Sequence, residues 1–181
     1  MNLKLLKTNL IIISLFLIII SSSPLMANTG IQDIKIGFSP GQTAKQIVLL
    51  AISEAKKSID IAAYSFTSKP IALALIDAQN RGINVRLVAD KKSNSSKYTA
   101  VTYLTNHHIP VKLNGKYAIM HNKFIIIDGH SVETGSFNYT QSATNRNAEN
   151  VIYLHNPEIA EQYTKEFNRL WKEAVNVEPR Y

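Results

Sequence analysis

Hydrophobic and polar positions along the chain alternate between the two-residue period of a strand and the three-to-four-residue spacing of a helix. After Asn28 we predict strands over Ile34–Phe38, Ser58–Phe66, Val85–Ala89, Val111–Leu113, Phe124–Ile127, Val132–Phe137 and Asn150–His155. We predict helices over Thr43–Lys57, Pro70–Arg81 and Tyr98–Asn106, and a last one from Asn156 with Ile159, Tyr163, Phe167, Leu170 and Trp171 as its buried face. Strands alternating with helices predict an α/β domain, layered α/β/α around a central mixed sheet.

The first 27 residues differ from the rest and predict a cleaved secretory signal. Lys4 and Lys7 form a basic start, Leu10–Ile20 is a run of low polarity, and Ala27 offers a small residue at the cleavage position. The alternative is a membrane anchor, but the run has eleven residues, well short of the ~20 that a spanning helix needs. We therefore predict one mature domain over residues 28–181, periplasmic or secreted, with membrane contact only through the signal before cleavage.

Length and composition fit a single globular domain with a real core, since the 181 residues are 45% hydrophobic and 18% charged. The sequence has no cysteine, which excludes a disulfide framework. The formal net charge is +7, and removal of the two signal lysines leaves +5. A mildly basic surface favours a polyanionic partner, either nucleic acid or an anionic lipid surface. Charge alone does not decide this, because many exported domains are mildly basic and bind neither.

Two short segments near the middle of the chain carry the candidate chemistry. His121 and Lys123 lie two residues apart at the head of a predicted strand, so both side chains point to the same side. An imidazole and an ammonium on one face fit an anion between them. With a phosphate there, Lys123 would neutralise the non-bridging oxygens, and neutral His121 could act as nucleophile or base. Ser136 and Asn138, after Gly135, add neutral hydrogen-bonding groups two residues apart.

These segments match the signature His-x-Lys-x4-Asp-x6-Gly-Ser-x-Asn, through which the chain resembles the phospholipase D superfamily. The specified positions are filled by His121, Lys123, Asp128, Gly135, Ser136 and Asn138. The resemblance covers most of the mature chain and is strongest to the small bacterial endonucleases of the superfamily, which are exported, carry one motif per chain and work as homodimers. In that subgroup an acid beyond the Gly-Ser-x-Asn element hydrogen-bonds the catalytic histidine, and Glu149 matches it. The resemblance implies an orienting, structural role for Asp128.

The resemblance also implies a double displacement at phosphorus. His121 would attack and form a phosphohistidine, while a second histidine protonates the leaving oxygen and then activates water. Because each chain has one motif, we expect the second histidine to be His121 of another copy, with the site at a homodimer interface. The remaining histidines lack a lysine two residues on and are expected to be loop or edge residues: His107, His108, His130 and His155.

No metal or other cofactor is expected. Metal-assisted nucleases need several converging carboxylates, whereas Asp128, Glu133 and Glu149 are spread over strands without ligand-type spacing. The adjacent pair His107 and His108 is a poor zinc motif, since neighbouring residues of an extended segment point apart.

Five further residues are candidates for substrate binding: Tyr64, Ser65, Lys91, Lys92 and Arg146. Tyr64 and Ser65 end a predicted strand and could floor the cleft, although ordinary core and turn roles fit them equally well. The two lysines belong to a polar stretch that could follow a phosphate backbone or be a solvated loop. Arg146 lies in the loop before Glu149 and flanks the predicted cleft. No aromatic-rich sheet for base stacking is evident, so sequence-specific recognition is not expected.

These features predict a metal-independent, largely sequence-non-specific endonuclease for DNA or RNA. One alternative is a lipid-active phosphodiesterase with the same chemistry, which the small domain and the lack of a readable exposed apolar stripe outside the signal disfavour. The other is a non-catalytic nucleic-acid-binding module. The intact set His121, Lys123, Asn138 and Glu149 disfavours that module, because binding alone needs no histidine nucleophile.

Overall fold

Strands and helices alternate along the computed structural model, which describes residues 33–96 and 98–179. The strands are β1 (Ile34–Ser39), β2 (Ser58–Ala63), β3 (Asn84–Asp90), β4 (Val111–Asn114), β5 (Phe124–Ile127), β6 (Ser131–Gly135), β7 (Glu149–His155) and β8 (Val175–Asn176). The helices are α1 (Thr43–Glu54), α2 (Lys69–Asn80), α3 (Ala100–Asn106), α4 (Gln141–Asn145) and α5 (Pro157–Glu173). The predicted signal over residues 1–27 lies outside the described residues.

The strands form one mixed sheet in the order β1-β7-β6-β5-β2-β3-β4-β8. β2, β3 and β4 run parallel, and the other neighbouring strands are antiparallel. Helices α1, α2 and α3 cover one face of the sheet, and α5 covers part of the other. The predicted layered α/β/α domain with a central mixed sheet is confirmed.

Strand β2 shows why the central strands are apolar throughout. Its Ile59 and Ile61 belong to the core beneath α1 and α2. Ala62 points the opposite way and packs with Phe167 and Leu170 of α5. A strand covered on both faces has no solvent side, so its sequence loses the polar half of the two-residue alternation.

Helix α1 and strand β2 each end three residues earlier than expected. The helix predicted over Thr43–Lys57 stops at Glu54 because the next backbone N–H groups have another acceptor. Lys56 and Lys57 donate to the Asp128 carboxylate at 3.0 and 2.7 Å instead of to helical carbonyls. The strand predicted over Ser58–Phe66 ends at Ala63, where the chain bends.

Two short elements were not predicted. Helix α4 has a polar sequence without apolar periodicity and is stabilised locally, because the Thr140 side chain accepts from the Ala143 backbone N–H at 3.1 Å. Strand β8 has two residues and pairs with β4. In α5 the predicted burial of Ile159 is wrong: Ala160 takes the buried position, and Ile159 faces solvent.

The edge strand β1 exposes an apolar strip formed by Ile34, Ile36 and Phe38. Ile36 and Phe38 are 60% and 59% exposed. The alternate residue Gly37 faces α1, where a Cβ would lie 2.8 Å from the Ile47 side chain. The strip therefore lies on the face that α5 covers farther along the sheet. This corrects the expectation that no apolar stripe is exposed outside the signal.

Candidate active site

The predicted catalytic residues converge because of the direction of the strands. β2, β3 and β6 run one way, while β5 and β7 run the other way. The ends of the first three therefore meet the starts of the other two at one edge of the sheet, which we call the site edge. It carries His121 and Lys123 before β5, Ser136 and Asn138 after β6, and Glu149 at the start of β7.

His121 is exposed at the site edge and packs against Tyr64. The two ring centroids are 4.4 Å apart, with the planes tilted by 59°. The chain just before His121 is fixed by the buried Asp90, whose carboxylate accepts from the Met120 backbone N–H at 2.8 Å. Within residues 33–96 and 98–179, no hydrogen bond involves the ring nitrogens of His121. Both nitrogens are therefore available to a ligand.

Lys123 is buried directly beside this exposed imidazole. Its Nζ donates to the His121 carbonyl oxygen at 2.8 Å and lies 5.2 Å from the centre of the Tyr64 ring. Burial lowers the pKa of Lys123 from its usual value, although the negative charge of Glu149 acts in the opposite direction. A buried ammonium is stabilised by a nearby anion, so a phosphate bound at the site edge would supply the missing counter-charge.

Glu149 is held in place by neutral donors. Ser136 Oγ donates to Glu149 Oε2 at 2.6 Å, and Asn147 Nδ2 donates to Oε1 at 2.8 Å. Gly135 permits the close approach of β6 and β7, because a Cβ there would lie 2.1 Å from the carbonyl oxygen of Asn150. The resemblance implied a hydrogen bond between Glu149 and the catalytic histidine. Within one chain Glu149 accepts from Ser136 and Asn147, and its bond to a histidine stays a prediction.

Asn138 brings an unpaired polar atom to the site edge. Its Oδ1 is buried and has no hydrogen-bond partner among the described residues. Such an atom costs about 1–3 kcal/mol when it stays unpaired. The backbone beside it is firmly held, because the Tyr139 carbonyl oxygen accepts from the N–H groups of Thr67 and Ser68, both at 2.9 Å. The Oδ1 atom can be paired only by a ligand that offers a hydrogen-bond donor, whereas the amide NH2 of the same side chain is the group that can donate to a phosphate.

Comparison with known proteins gives the family. Residues 48–171 match a family described as cardiolipin synthase, phospholipase D-like domain. A phospholipase D from Rickettsia conorii is 39% identical over 139 residues, which cover 77% of this chain and 68% of the relative. The crystal structure of a phospholipase D family member, Nuc from Salmonella typhimurium, is similar with a TM-score of 0.79 and 37% identity, over 81% of this chain and 99% of Nuc. The chain belongs to the phospholipase D superfamily.

A more distant relative shows that proteins with different names share this domain. A mitochondrial cardiolipin hydrolase from Xenopus tropicalis is 31% identical over 126 residues, which cover 70% of this chain and 60% of the relative. The superfamily identifies the chain as a phosphodiesterase, a hydrolase of phosphodiester bonds. These names do not decide which phosphodiester bonds the chain cleaves, because phospholipase D and cardiolipin hydrolase refer to lipids and Nuc does not.

Asp128 is the one polar signature residue of this superfamily chain that lies away from the site edge. It follows β5, whereas His121 precedes it, so the length of the strand separates them. Its carboxylate accepts from the backbone N–H groups of Lys56, Lys57 and Ser58 at 3.0, 2.7 and 2.8 Å. Burial alone would raise the pKa of Asp128, but these donors together hold it below its usual value. Asp128 therefore fastens the turn between α1 and β2, which removes it from the catalytic candidates.

The other histidines lie at the opposite ends of the strands, which we call the far edge and where Asp128 also lies. α3 begins at the site edge and ends at the far edge, where two of them follow it; a third lies between β5 and β6, and the fourth ends β7. They are His107, His108, His130 and His155. All five histidines fall within the described residues, and among them His121 alone is at the site edge. A second catalytic histidine is therefore not available within one chain.

The substrate-binding candidates divide into two groups. Tyr64 contacts both His121 and Lys123 and therefore lines the floor of the site, whereas Ser65 is the next residue in the chain and is half-buried. The second group consists of three cations that were predicted to follow a phosphate backbone or flank the cleft: Lys92, Arg146 and Lys91.

These three cations lie at different distances from the reacting centre. Lys92 Nζ donates to the Ala118 carbonyl oxygen at 3.3 Å, three residues before His121. Arg146 is exposed at the end of α4, three residues before Glu149. The Lys91 side chain is instead packed over Gly115, whose added Cβ would lie 3.0 Å from Lys91 Cδ. Lys92 and Arg146 thus flank the site, and Lys91 points away from it.

Sequence reasoning missed the residues that hold the site loops together. The buried Asn94 accepts from the Phe66 N–H at 3.0 Å and donates to the carbonyl oxygens of Tyr64 at 2.6 Å and Asp90 at 2.9 Å. It joins the loop after β2 to the loop after β3. The available signal was an Asp directly at a strand end with an Asn four residues on, a pair suited to bonding local backbone.

A second supporting pair lies in the core beneath Asn138. Tyr139 Oη donates to Glu133 Oε2 at 2.9 Å, and both side chains are buried. Burial raises the pKa of Glu133 to about 8, against a smaller opposing effect of the Tyr139 hydrogen bond. Glu133 is therefore predominantly protonated at neutral pH. Its uncharged carboxyl group accepts the hydrogen bond that holds Tyr139 in place.

No helix within residues 33–96 and 98–179 is both long and apolar enough to cross a membrane. Nor do three or more His, Cys, Asp or Glu side chains there form a group suited to a metal ion. Metal independence remains a prediction that needs an assay.

Proposed function

We propose that this chain is an exported, metal-independent endonuclease with little sequence preference, acting on DNA or RNA as a homodimer. The observation that carries the proposal is the exposed imidazole of His121 beside the buried ammonium of Lys123, at an open edge flanked by Lys92 and Arg146. An open cationic edge suits a long phosphodiester chain that passes across it. Similarity to Nuc over 99% of that chain supports the same choice.

In the proposed reaction a ring nitrogen of His121 attacks phosphorus, and the bond from phosphorus to the leaving oxygen breaks. A protonated second histidine gives its proton to that oxygen, so the first product leaves as an alcohol. The same histidine, now neutral, takes a proton from water that attacks the phosphohistidine. The second product leaves as a phosphate monoester, and His121 is restored. Lys123 balances the negative charge on the non-bridging oxygens throughout.

The homodimer follows from what one chain lacks. His121 is the one histidine that the described residues place at the site edge, so the proton donor has to come from elsewhere. The apolar strip of β1 offers a surface for a second copy. It reaches the site edge, because Ser39 at the end of β1 pairs with Glu149. A two-fold contact beside this edge would place two copies of His121 around one phosphate.

The lipid alternative has its own support. Relatives named phospholipase D and mitochondrial cardiolipin hydrolase match this chain at 39% and 31% identity. The apolar strip could also rest on a lipid surface rather than on a second copy. A lipid phosphodiesterase would use the same residues for the same bond cleavage, so only substrates can separate the two functions.

The purified mature domain should be assayed in excess EDTA on plasmid DNA, on RNA and on vesicles of phosphatidylcholine and cardiolipin. We expect cleavage of nucleic acid and none of lipid, and no cleavage by a folded His121→Asn control. Lipid hydrolysis without nuclease activity would overturn the proposal that nucleic acid is the substrate. Activity that disappears in EDTA and returns with magnesium would overturn metal independence.

Subunit mixing tests the shared site. When equal amounts of wild type and His121→Asn re-assort at random, one half of the dimers carry one intact histidine, and about one quarter remain wild type. A shared site leaves about a quarter of the activity of the same total protein as wild type, whereas independent sites leave about half. Tagging one partner verifies the exchange.

Export rests on the pattern of residues 1–27. Expression of the full chain in a Gram-negative host, fractionation and N-terminal sequencing would test it. We expect a mature N-terminus within a few residues of Asn28 in the periplasmic fraction. Uncleaved protein in the membrane fraction would favour an anchor.

A further inference from the structure

A separate cavity opens beside the site edge, between the first turns of α2 and α3. It has a volume of about 340 Å³ and is lined by Thr67, Lys69, Ala72, Tyr98, Thr99 and Tyr103, together with Ala100. We call it the tyrosine pocket. None of these residues belongs to the phospholipase D signature.

The tyrosine pocket is continuous with the loops that form the candidate site. The Ala100 N–H donates to the Phe66 carbonyl oxygen at 3.0 Å, and the Thr67 N–H donates to the Tyr139 carbonyl oxygen at 2.9 Å. Tyr139 directly follows Asn138. The ring of Tyr64 touches His121. Thr67 is three residues from Tyr64, so the Cα atoms of Thr67 and Tyr64 are at most about 11 Å apart. A substrate strand bound at His121 thus has the pocket within its reach.

The lining of the pocket has the chemistry of a base-stacking surface. Tyr98 is 82% exposed and Tyr103 is 40% exposed, so both rings present apolar area to a ligand. Lys69 adds a cation, and no carboxylate lines the pocket. Proteins that bind single strands without sequence preference combine aromatic rings, on which bases stack, with cations that follow the phosphates.

We propose that the tyrosine pocket is a subsite for an unpaired base of the substrate strand, next to the nucleotide cleaved at His121. The base stacks on Tyr98 or Tyr103, and Lys69 pairs with its phosphate. This inference rests on the proposed nuclease function and deepens it. Stacking accepts any base, which agrees with low sequence preference, but a base inside a duplex is not available. The enzyme should therefore bind single strands more tightly than duplexes.

The test compares two single-stranded oligodeoxynucleotides of the same length and charge, one normal and one with abasic residues beside a single cleavable position. In the double variant Tyr98→Ala, Tyr103→Ala, KM for the normal strand should rise about 5- to 150-fold, the equivalent of 1–3 kcal/mol for one stacked base. KM for the abasic strand and kcat for both should stay within about twofold. Tyr103→Phe keeps the ring and should behave as wild type.

A charge control separates local pairing from general attraction. Lys69→Ala should raise KM for both strands, whereas Lys165→Ala should change neither, because Lys165 lies on α5 and pairs with Glu161. Equal effects of the double variant on normal and abasic strands would overturn the subsite, as would no effect on either. Impaired hydrolysis of cardiolipin vesicles with nucleic acid unaffected would assign the pocket to lipid instead.

Two failures remain distinguishable in this design. If wild type cleaves single strands and the folded double variant equals it, only the subsite is wrong. If wild type cleaves no nucleic acid, the proposed function fails first. Tyr98→Ala alone, at the more exposed ring, gives a second measurement should the Tyr103 substitution disturb its ring contact with His107.

Discussion

Glu133 offers a test of the core beneath the site, because it is a carboxyl group buried without a countercharge. It is 1% exposed, and its hydrogen bond comes from the hydroxyl of Tyr139. Burial raises the pKa of Glu133 from 4.5 to about 8 in the folded protein. Glu133→Gln removes the titration but keeps a carbonyl oxygen to accept from Tyr139.

The direction of the effect follows from proton linkage. Below a pH of about 4.5 the group is protonated in both states, so its contribution does not change with pH. As the pH rises from there to about 8, the unfolded chain loses this proton and the folded chain keeps it. The free energy of unfolding then falls by about 1.4 kcal/mol per pH unit. Between pH 5 and pH 8 this amounts to roughly 3–4 kcal/mol.

Urea unfolding of wild type and Glu133→Gln at several pH values from about 5 to 8 measures this slope. The variant bears a constant cost of about 1–3 kcal/mol for its buried amide donors, so slopes rather than absolute values are compared. We expect the free energy of unfolding of the wild type to fall as the pH rises and that of the variant to change much less. Glu178→Gln, which removes an exposed carboxylate, should keep the wild-type slope.

The partner residue gives an independent check. The Tyr139 hydrogen bond lowers the pKa of Glu133, so Tyr139→Phe should raise that pKa further and extend the falling slope beyond pH 8. If the free energies of unfolding of wild type and Glu133→Gln change in parallel with pH, the reasoning is refuted. That result would show that Glu133 is ionised in the folded protein like any exposed acid.

Three further predictions concern the site and its support. His121→Asn should lower kcat by about 10⁴-fold or more in a nicking assay, with an unchanged circular dichroism spectrum. Asp128→Ala should lower the free energy of unfolding by about 2–3 kcal/mol in urea, because three backbone N–H groups lose their acceptor, while kcat per folded molecule stays within severalfold. Glu149→Gln removes the charge that raises the pKa of Lys123, so the alkaline loss of activity should move to lower pH; an unmoved limb would contradict this.

The fold was predictable where the sequence records burial directly. Strand β5 reads Phe-Ile-Ile-Ile because both its faces are covered, and its predicted bounds match the structure. The end of α1 was not predictable, because the group that stops it is Asp128, 72 residues away. Helix α4 was missed for the opposite reason: a local side-chain cap stabilises it, and it has no apolar stripe.

The same division applies to the site. His121 and Lys123 point to the same side of the chain because they are two residues apart, and this spacing can be read from a sequence. The partners of Glu149 depend on how β6 and β7 approach each other at Gly135, which a sequence does not show. Asn94 was overlooked because its three bonds go to backbone of two loops, and backbone acceptors leave no pattern in the residue types.

The oligomeric state decides whether this chemistry is complete. Strand β5 has four residues, about 13 Å of rise, and it separates His121 from His130 at the far edge. No imidazole of the far edge can therefore protonate a leaving group held at His121. Glu149 is a poor substitute, because an ionised carboxylate, as its bonds from Ser136 and Asn147 show it to be used here, is an acceptor only. A monomer, shown by light scattering at the assay concentration, should thus lack a proton donor and be nearly inactive. Full activity in such a monomer would end the shared-site mechanism and leave solvent water as the acid.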